Sequence, residues 1–307
     1  MVAATPLIVD GRQLKVTNLD KVLYPATGFT KGDVIDYYRG VAQVMLPHLQ
    51  ARPVTFKRYP DGVEGEFFFV KQCALYRPKW VHTTTIHAKT AHRDVTYCVI
   101  DDLPTLLWSA NLAALELHTS LSLMDDVTRP TSLVLDLDPG APATILECAQ
   151  VGIWLRDVAN DLGLQSFPKV SGSKGLHIHV PINGPITYAT TKPFAQALAQ
   201  RLEAAHPDLV VANMRRARRE GKVLIDWSQN DQHKTTVGVY SLRGRARPTV
   251  STPVTWQEVE DALRAHDAAQ LSFEAPQVLQ RIERMGDLYA PVLTLQQVLP
   301  ALDGGAR

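Results

Sequence analysis

Two aspartates set two residues apart in an apolar run carry the first chemical signal of this chain. Asp136 and Asp138 lie in Leu133-Val134-Leu135-Asp136-Leu137-Asp138-Pro139-Gly140, a segment that reads as a strand. Strand side chains alternate faces, so the two carboxylates point the same way. Like charges side by side on a buried sheet repel and cost desolvation, and a hard divalent cation such as Mg²⁺ or Mn²⁺ offsets both. Asp226, isolated in Val223-Leu224-Ile225-Asp226-Trp227, completes a set of carboxylates if its strand lies beside theirs. Two-metal phosphoryl transfer uses such a set, with one ion near the attacking oxygen and one near the leaving oxygens. Plainer readings stand beside this one: the pair could be a solvated edge strand running into a turn, and Asp226 could simply start a turn.

A second constellation follows in Ser171-Gly172-Ser173-Lys174-Gly175-Leu176-His177-Ile178-His179. Its small residues allow tight curvature with exposed amides, a nest for phosphate, and Lys174 supplies a point charge. It is not a Walker A loop: it runs from loop into strand, and its lysine precedes Gly175. His177 and His179 share a strand face. His177, nearer the loop, is the candidate for a triphosphate oxygen or a metal-site neighbour, and His179 could equally be a satisfied core histidine. Arg219, Lys234 and Arg243 flank the Asp226 region, and Arg243, at a strand end, can clamp a β- or γ-phosphate bidentately. His118 is expected at the end of a helix over 103–118, where it could meet phosphate or sugar, or merely favour the helix C-terminus. Together these motifs make nucleotidyl transfer the leading reading.

The elements that position these groups follow from periodicity. Apolar spacing predicts a helix over Lys31–Leu49, capped by Thr30 with Asp33 three positions on. Residues 53–100 read as short strands and turns. Helices are expected over 103–118, 143–162, 191–205 and 255–265, the last with a Thr255/Glu258 capping signature. Strands are expected at 167–170, 176–180, 223–227 and 236–240, and the tail 276–299 reads as helical. Hairpins mixed with crossing helices predict an α+β fold rather than a doubly wound sheet.

Composition narrows the class. At 307 residues and 45% hydrophobic, the chain can build one large domain or two intimate ones. The net charge of +1 hides local basic clusters at 57–58, 215–219 and 243–247, so it does not exclude a nucleic-acid partner. Cys73, Cys98 and Cys148 show no metal-ligand spacing and read as reduced thiols of a cytoplasmic protein. No secretory signal and no apolar run long enough to span a membrane is apparent.

These residues carry a specific resemblance. Leu135-Asp136-Leu137-Asp138-Pro139-Gly140, Ser171-Gly172-Ser173-Lys174-Gly175-Leu176-His177, Asp226-Trp227-Ser228-Gln229-Asn230, Lys234-Thr235-Thr236 and Tyr240-Ser241-Leu242-Arg243 resemble, in order and spacing, the polymerase domain of bacterial DNA ligase D. That family belongs to the archaeo-eukaryotic primase superfamily, and its mycobacterial members look closest. The opening Asn18-Leu19-Asp20-Lys21-Val22-Leu23-Tyr24-Pro25 also fits, so the resemblance spans about residues 13–290. It implies a primase/polymerase-like α+β core with two packed sheet-bearing subdomains and flanking helices. A single domain over 1–300 is expected, with template and 5′-phosphate contacts in 10–120, the catalytic core in 130–245 and helices in 250–300.

The resemblance further implies template-dependent nucleotidyl transfer with two Mn²⁺ or Mg²⁺ ions and NTP or dNTP as substrate, ribonucleotides preferred. Asp136, Asp138 and Asp226 would be the catalytic, metal-binding carboxylates. Lys57, His118, Ser171, Lys174, His177, Arg219, Lys234 and Arg243 would hold the nucleotide, with His118 near its sugar. Lys21 and Lys31 would bind a 5′-phosphate. Phe68 and Phe69 would stack on the template, a contact that tolerates any base; the residues alone also allow a core strand, with at least one of Phe67, Phe68 and Phe69 buried. The expected partners are gapped or 5′-phosphorylated DNA, a ligase and end-binding repair proteins, with the chain itself monomeric and associated with the nucleoid. The pattern departs from many relatives at Val70, where an acidic or polar residue is usual, and no Lys-x-Asp-Gly ligase motif occurs. The chain reads as a stand-alone polymerase or an excised domain. The rival readings are a primer-synthesising primase, a metal-dependent phosphoesterase and a non-catalytic module binding 5′-phosphorylated DNA ends.

Overall fold

The computed structural model describes residues 4–88 and 93–301. The chain divides into two compact units interleaved in sequence. One comprises Met1–Asp125, Thr235–Thr252 and Phe273–Asp287; the other comprises Asp126–Lys234, Pro253–Ser272 and Leu288–Arg307.

The first unit opens with an antiparallel hairpin of β1 (Ala4–Val9) and β2 (Arg12–Thr17). Asp10 and Gly11 both take positive φ, 46° and 73°, as a tight primed turn requires. The short pair β3 (Val22–Tyr24) and β4 (Phe29–Thr30) leads into α1 (Lys31–Leu49), where Thr30 and Asp33 form the expected capping box. Val34, Tyr38, Val41 and Met45 bury one face of α1 completely. Then come β5 (Pro53–Arg58), β6 (Phe68–Val70), β7 (Thr83–Ala88), β8 (Arg93–Val99), α2 (Leu103–Asn111) and β9 (Ala114–Thr119).

Two expectations are corrected here. The helix expected over 103–118 stops at Asn111, because Ala113 turns left-handed (φ 55°) and the next residues form β9. His118 therefore lies on a strand, not at a helix end. β9 pairs with β5 through a register running from Val54↔Thr119 to Arg58↔Ala114, and being an interior strand it is buried on both faces, so its leucines read on from the apolar run of α2 without a break. Second, Cys73 and Cys98 are joined in a disulfide, with Cα atoms 5.0 Å apart, rather than both reduced. The Cys73 amide donates to the Thr96 carbonyl at 2.6 Å, which docks the loop against β8 and brings the sulfurs together. Cys148 is free and buried.

The second unit is built on β10 (Ser132–Pro139), α3 (Ile145–Asp161), β11 (Phe167–Val170), β12 (Leu176–Pro181), α4 (Tyr188–Ala205), β13 (Val210–Val211) and β14 (Val223–Asp226). Its five-stranded sheet has the order β11-β12-β10-β14-β13, so the acidic strand β10 is central. The pairs are antiparallel except β13 with β14.

The chain then returns. β15 (Thr236–Val237) joins β9 and completes the six-stranded sheet of the first unit, ordered β15-β9-β5-β8-β7 with β6 on β5. It is shorter than the strand expected over 236–240, because Tyr240 adopts a left-handed conformation (φ 62°) that bends the chain. α5 (Trp256–Ala265), capped by Thr255 and Glu258 as expected, packs on α3 in the second unit. α6 (Ala275–Met285) packs on α1 in the first, and α7 (Pro291–Thr294) on β12 in the second. The tail expected to be helical over 276–299 is thus interrupted: Gly286, at φ 66°, ends α6. The architecture is a mixed α+β fold with two sheet-bearing units and flanking helices, as the motifs led one to expect. Among the described residues no helix is long and apolar enough to cross a membrane.

Candidate active site

In the second unit, strand register gathers the carboxylates. Asp136 on β10 lies directly opposite Asp226 on β14, and opposite partners in an antiparallel pair share a face. Asp138, two residues on, belongs to the same face. The adjacency on which the sequence reading depended is therefore present. Asp226 also begins a turn: its Oδ1 accepts from the Ser228 amide at 2.9 Å and Ser228 Oγ at 2.6 Å, and its Oδ2 from Gln229 Nε2 at 3.0 Å. Strand adjacency and turn start are thus both present at that residue. The charge of Asp136 and Asp138 reaches Cys148, whose thiol is pushed up first by burial and then by these two carboxylates.

The histidines separate. His177 lies opposite Asp136 on the other side of β10, with its Nε2 3.1 Å from Asp136 Oδ1. His177 thus stands beside one of the candidate metal-binding carboxylates. His179 meets Ser132 Oγ through Nδ1 at 3.2 Å and packs edge-on against Tyr289, as a core histidine does. The Ser171–Gly175 loop is tight, and two of its amides are held within it. Ser173 and Gly175 N–H both donate to Ser171 Oγ, at 3.3 and 3.2 Å, while Lys174 is exposed. Gly175 is required by space, since a Cβ there would stand 2.0 Å from the Leu137 carbonyl oxygen of the acidic strand.

Arg219 follows a short 3₁₀ turn and donates through Nη2 to the Met214 carbonyl at 2.5 Å. Its Nε is buried without a hydrogen-bond partner among the described residues, a guanidinium edge that suits an anion. A Cβ at Gly140 would overlap the Arg219 carbonyl oxygen, so this turn is held against the end of β10. Lys234 is exposed at the end of the segment.

In the first unit, Lys57, His118 and Arg243 come together around a residue the sequence reading missed. Glu116, 2% exposed on β9, lies 3.3 Å from Lys57 Nζ, 2.9 Å from His118 Nε2 and 3.2 Å from Arg243 Nε. It also accepts from Tyr59 Oη at 3.0 Å and the Gly244 amide at 3.1 Å. Burial alone would raise its carboxyl, but the His118 hydrogen bond and the charges of Arg243, His118 and Lys57 hold it well below the usual carboxylate range. Burial in turn lowers His118, against the pull of Glu116. A lone glutamate between leucines in an apolar strand was the available signal, and the helical reading of 103–118 masked it.

Phe67, Phe68 and Phe69 are each half exposed or more, so the expectation that one of them belongs to the core is corrected. They lie on and beside a short strand that pairs with β5. Alternation puts Phe67 and Phe69 on the side of Lys57, whose Nζ stands 4.2 and 5.4 Å from their ring centres, and puts Phe68 on the other. Lys21 Nζ pairs with Asp61 at 2.8 Å. Lys31 Nζ donates to the Thr17 carbonyl at 2.7 Å, and its pKa is lowered to about 8 by burial and then by the charge of Lys21.

The remainder of Asp226-Trp227-Ser228-Gln229-Asn230 also gains a reason. Asn230, fully buried, accepts from the Val134 amide at 2.9 Å and donates to the Val134 and Trp227 carbonyls at 2.6 and 2.9 Å. It pins the turn after Asp226 to the acidic strand.

The carboxylate donor set is all hard oxygen, which suits Mg²⁺ or Mn²⁺. Among the described residues no three His, Cys, Asp or Glu side chains close into a cage.

Comparison with known proteins shows the family. Residues 30–289 match the family described as LigD, primase-polymerase domain. The chain is 47% identical over 290 residues to the multifunctional non-homologous end joining DNA repair protein LigD of Mycobacterium tuberculosis, covering 90% of this chain and 36% of that protein. It is 33% identical over 275 residues to the bifunctional non-homologous end joining protein LigD of Bacillus subtilis, covering 89% of this chain and 43% of that protein. Among solved structures, the polymerase domain of Mycobacterium tuberculosis Ligase D in complex with DNA matches with a TM-score of 0.83 at 44% identity, over 91% of this chain and 98% of that one.

Proposed function

Because the chain belongs to the LigD primase-polymerase family and is thereby a nucleotidyltransferase of DNA repair, we propose that it extends primers by template-dependent nucleotidyl transfer at short gaps and 5′-phosphorylated ends, preferring ribonucleotides. The observation that carries this reading is the register that sets Asp136 opposite Asp226, with Asp138 two residues on.

A primer 3′-hydroxyl attacks the α-phosphate of the incoming nucleotide, and pyrophosphate leaves. Asp136, Asp138 and Asp226 would hold Mn²⁺ or Mg²⁺ ions, which supply activation of the hydroxyl and neutralisation of charge on the phosphates. Lys174, Arg219 and Lys234 contribute positive charge for the triphosphate. Ser171, whose Oγ ties its loop together, and His177 belong to the same nucleotide-holding set. The group around Glu116 presents Lys57 and Arg243 to the nucleotide's phosphates and His118 to its sugar. Because burial keeps His118 toward its neutral form, a hydroxyl suits it better than a phosphate. Lys21 and Lys31 take the 5′-phosphate, a dianionic group that can displace Asp61 from Lys21. The exposed aromatics of 67–69 stack on template bases. A ligase and end-binding repair proteins are the expected collaborators, by analogy with the end-joining relatives.

The test is extension of a primer facing a short gap, with and without the downstream 5′-phosphate, in Mn²⁺, comparing ribonucleotides with deoxyribonucleotides. Phosphate-stimulated, ribonucleotide-favouring extension is expected. Asp136→Ala should lose at least about 100-fold in rate while binding phosphorylated gaps as the parent does. No extension with phosphate-dependent binding intact would favour an end-binding module instead, and equal activity without any primer would favour a primase.

A further inference from the structure

Lys169 is 1% exposed on β11, and neither the motifs nor the reaction gives it a role. Register makes one for it. Lys169 lies opposite His177, His177 opposite Asp136, and Asp136 opposite Asp226. The side chains form one row across β11, β12, β10 and β14, on one face of the sheet. Lys169 Nζ stands 3.2 Å from His177 Nδ1, and His177 Nε2 stands 3.1 Å from Asp136 Oδ1.

The chemistry of the two ends decides the proton on the ring. An ionised carboxylate only accepts, so Nε2 must carry hydrogen; an ammonium only donates, so Nδ1 must be the acceptor. A lysine and an aspartate at these distances therefore select the neutral Nε2–H tautomer. A methionine would fill similar volume without the cost of burying a charge, so packing does not account for the ammonium.

We propose that Lys169 is a positioning residue for nucleotidyl transfer: it locks His177 as the Nε2–H tautomer and, through it, holds the Asp136 carboxylate on the face it shares with Asp226. Groups that fix a histidine's tautomer from its far nitrogen act this way in metal sites, where their loss costs about 10–100-fold in metal affinity or activity. The kinetic half of this inference rests on the polymerase reading above; the tautomer half does not.

The test uses the full chain labelled with ¹⁵N-histidine, as wild type, Lys169→Met and Lys169→Arg, with His177→Gln to assign the signal. Two-bond ¹H–¹⁵N correlation is expected to show the Nε2–H pattern for His177 in the wild type, a mixed or altered pattern in K169M, and restoration in K169R. In extension assays K169M should lower kcat by about tenfold and raise the Mn²⁺ concentration for half activity, with the nucleotide KM and gap binding unchanged; K169R should recover most of the loss. An imidazolium or an Nδ1–H ring in the wild type overturns the proposal, even if K169M fails to fold. So does a K169M protein with the wild-type spectrum and kcat. If the wild type does not extend primers at all, the polymerase reading fails while the spectra still decide the role of Lys169.

Discussion

Lys31 begins α1 with its ammonium on the Thr17 carbonyl oxygen, and burial together with the charge of Lys21 brings its pKa down to about 8. Below that pH the group is charged and can pair with a phosphate; as pH rises through it the charge is lost. A 5′-phosphate stays dianionic across the same range, its second pKa being about 6. The preference for phosphorylated over unphosphorylated gaps should therefore fall several-fold between about pH 7 and about pH 9, read by fluorescence anisotropy at constant ionic strength. Lys31→Arg, charged throughout, should flatten the profile, and a preference independent of pH in the parent would exclude Lys31 as the anchor. Glu116 makes the opposite case, a buried anion among cations. Glu116→Ala leaves Lys57 and Arg243 without their shared carboxylate and should cost about 3–5 kcal/mol, seen as a lower urea midpoint; a loss under about 1 kcal/mol would mean that water replaces the carboxylate. The difference in legibility between residues has a physical root. Asp136, Asp138 and Asp226 announce themselves because a carboxylate in an apolar strand is costly wherever it sits. Glu116 and Lys169 show the same anomaly, but their partners come from other strands, and only register reveals what each faces.

At the scale of elements, the acidic strand is fixed from both sides by contacts that tolerate little change. A Cβ at position 175 would stand 2.0 Å from the Leu137 carbonyl oxygen, and that atom is backbone, so relief requires moving β10 or the loop. Gly175→Ala should destabilise by about 1–3 kcal/mol and depress extension more than gap binding, since Leu137 lies between Asp136 and Asp138. Denaturation paired with single-turnover kinetics separates the two effects, and wild-type stability and rate would show that the loop yields freely. On the other side, Asn230→Ala removes the amide that satisfies Val134 N–H and two carbonyls, a loss of about 2–4 kcal/mol by urea titration. Elements with an end signal or a clear period were readable: α1 from Thr30 and Asp33, α5 from Thr255 and Glu258, and β10 from its alternating aspartates. The 103–118 stretch was not, because an interior strand buried on both faces follows α2 after only a short turn, and one left-handed residue, Ala113, makes the break. The β1–β2 hairpin did carry its signal, Asp10-Gly11 between two runs of strand-forming residues, but its exposed positions dilute the hydrophobic alternation.

At the scale of the whole molecule, neither unit is continuous. Residues 235–252 and 273–287 belong with the N-terminal part, while 253–272 and the C-terminal segment belong with the central part. Composition and motif order place catalytic residues along the chain, but they carry no mark of this return path; it is set by which helix covers which apolar face. α6 closes over α1, and the segment before it meets β-structure through Val250 N–H donating to the Phe273 carbonyl at 2.9 Å. Beyond α6, Asp287 accepts from Tyr240 Oη at 2.7 Å and lies 2.8 Å from His48 Nε2, fastening the end of α1 to the bend that precedes Arg243. In the other unit α5 packs on α3, and Arg156 of α3 pairs with Glu260 of α5 and lies over the Trp256 ring. A chain ending at residue 252 retains every proposed metal and nucleotide residue yet strips a packed helix from each unit. It should lose cooperative unfolding in both, giving broad, poorly dispersed amide spectra and no extension activity. A chain ending at residue 287 removes α7, the Tyr289 ring that packs on His179, the Val292 and Leu295 carbonyls that accept from Asn183, and the Gln297 contacts to Gln165, Pro181 and Ile182. The signals of α1 and the six-stranded sheet should survive that cut, with changes confined to β12 and its neighbours. Well-dispersed spectra from the shorter truncation would mean that the interleaved segments decorate two units already stable without them.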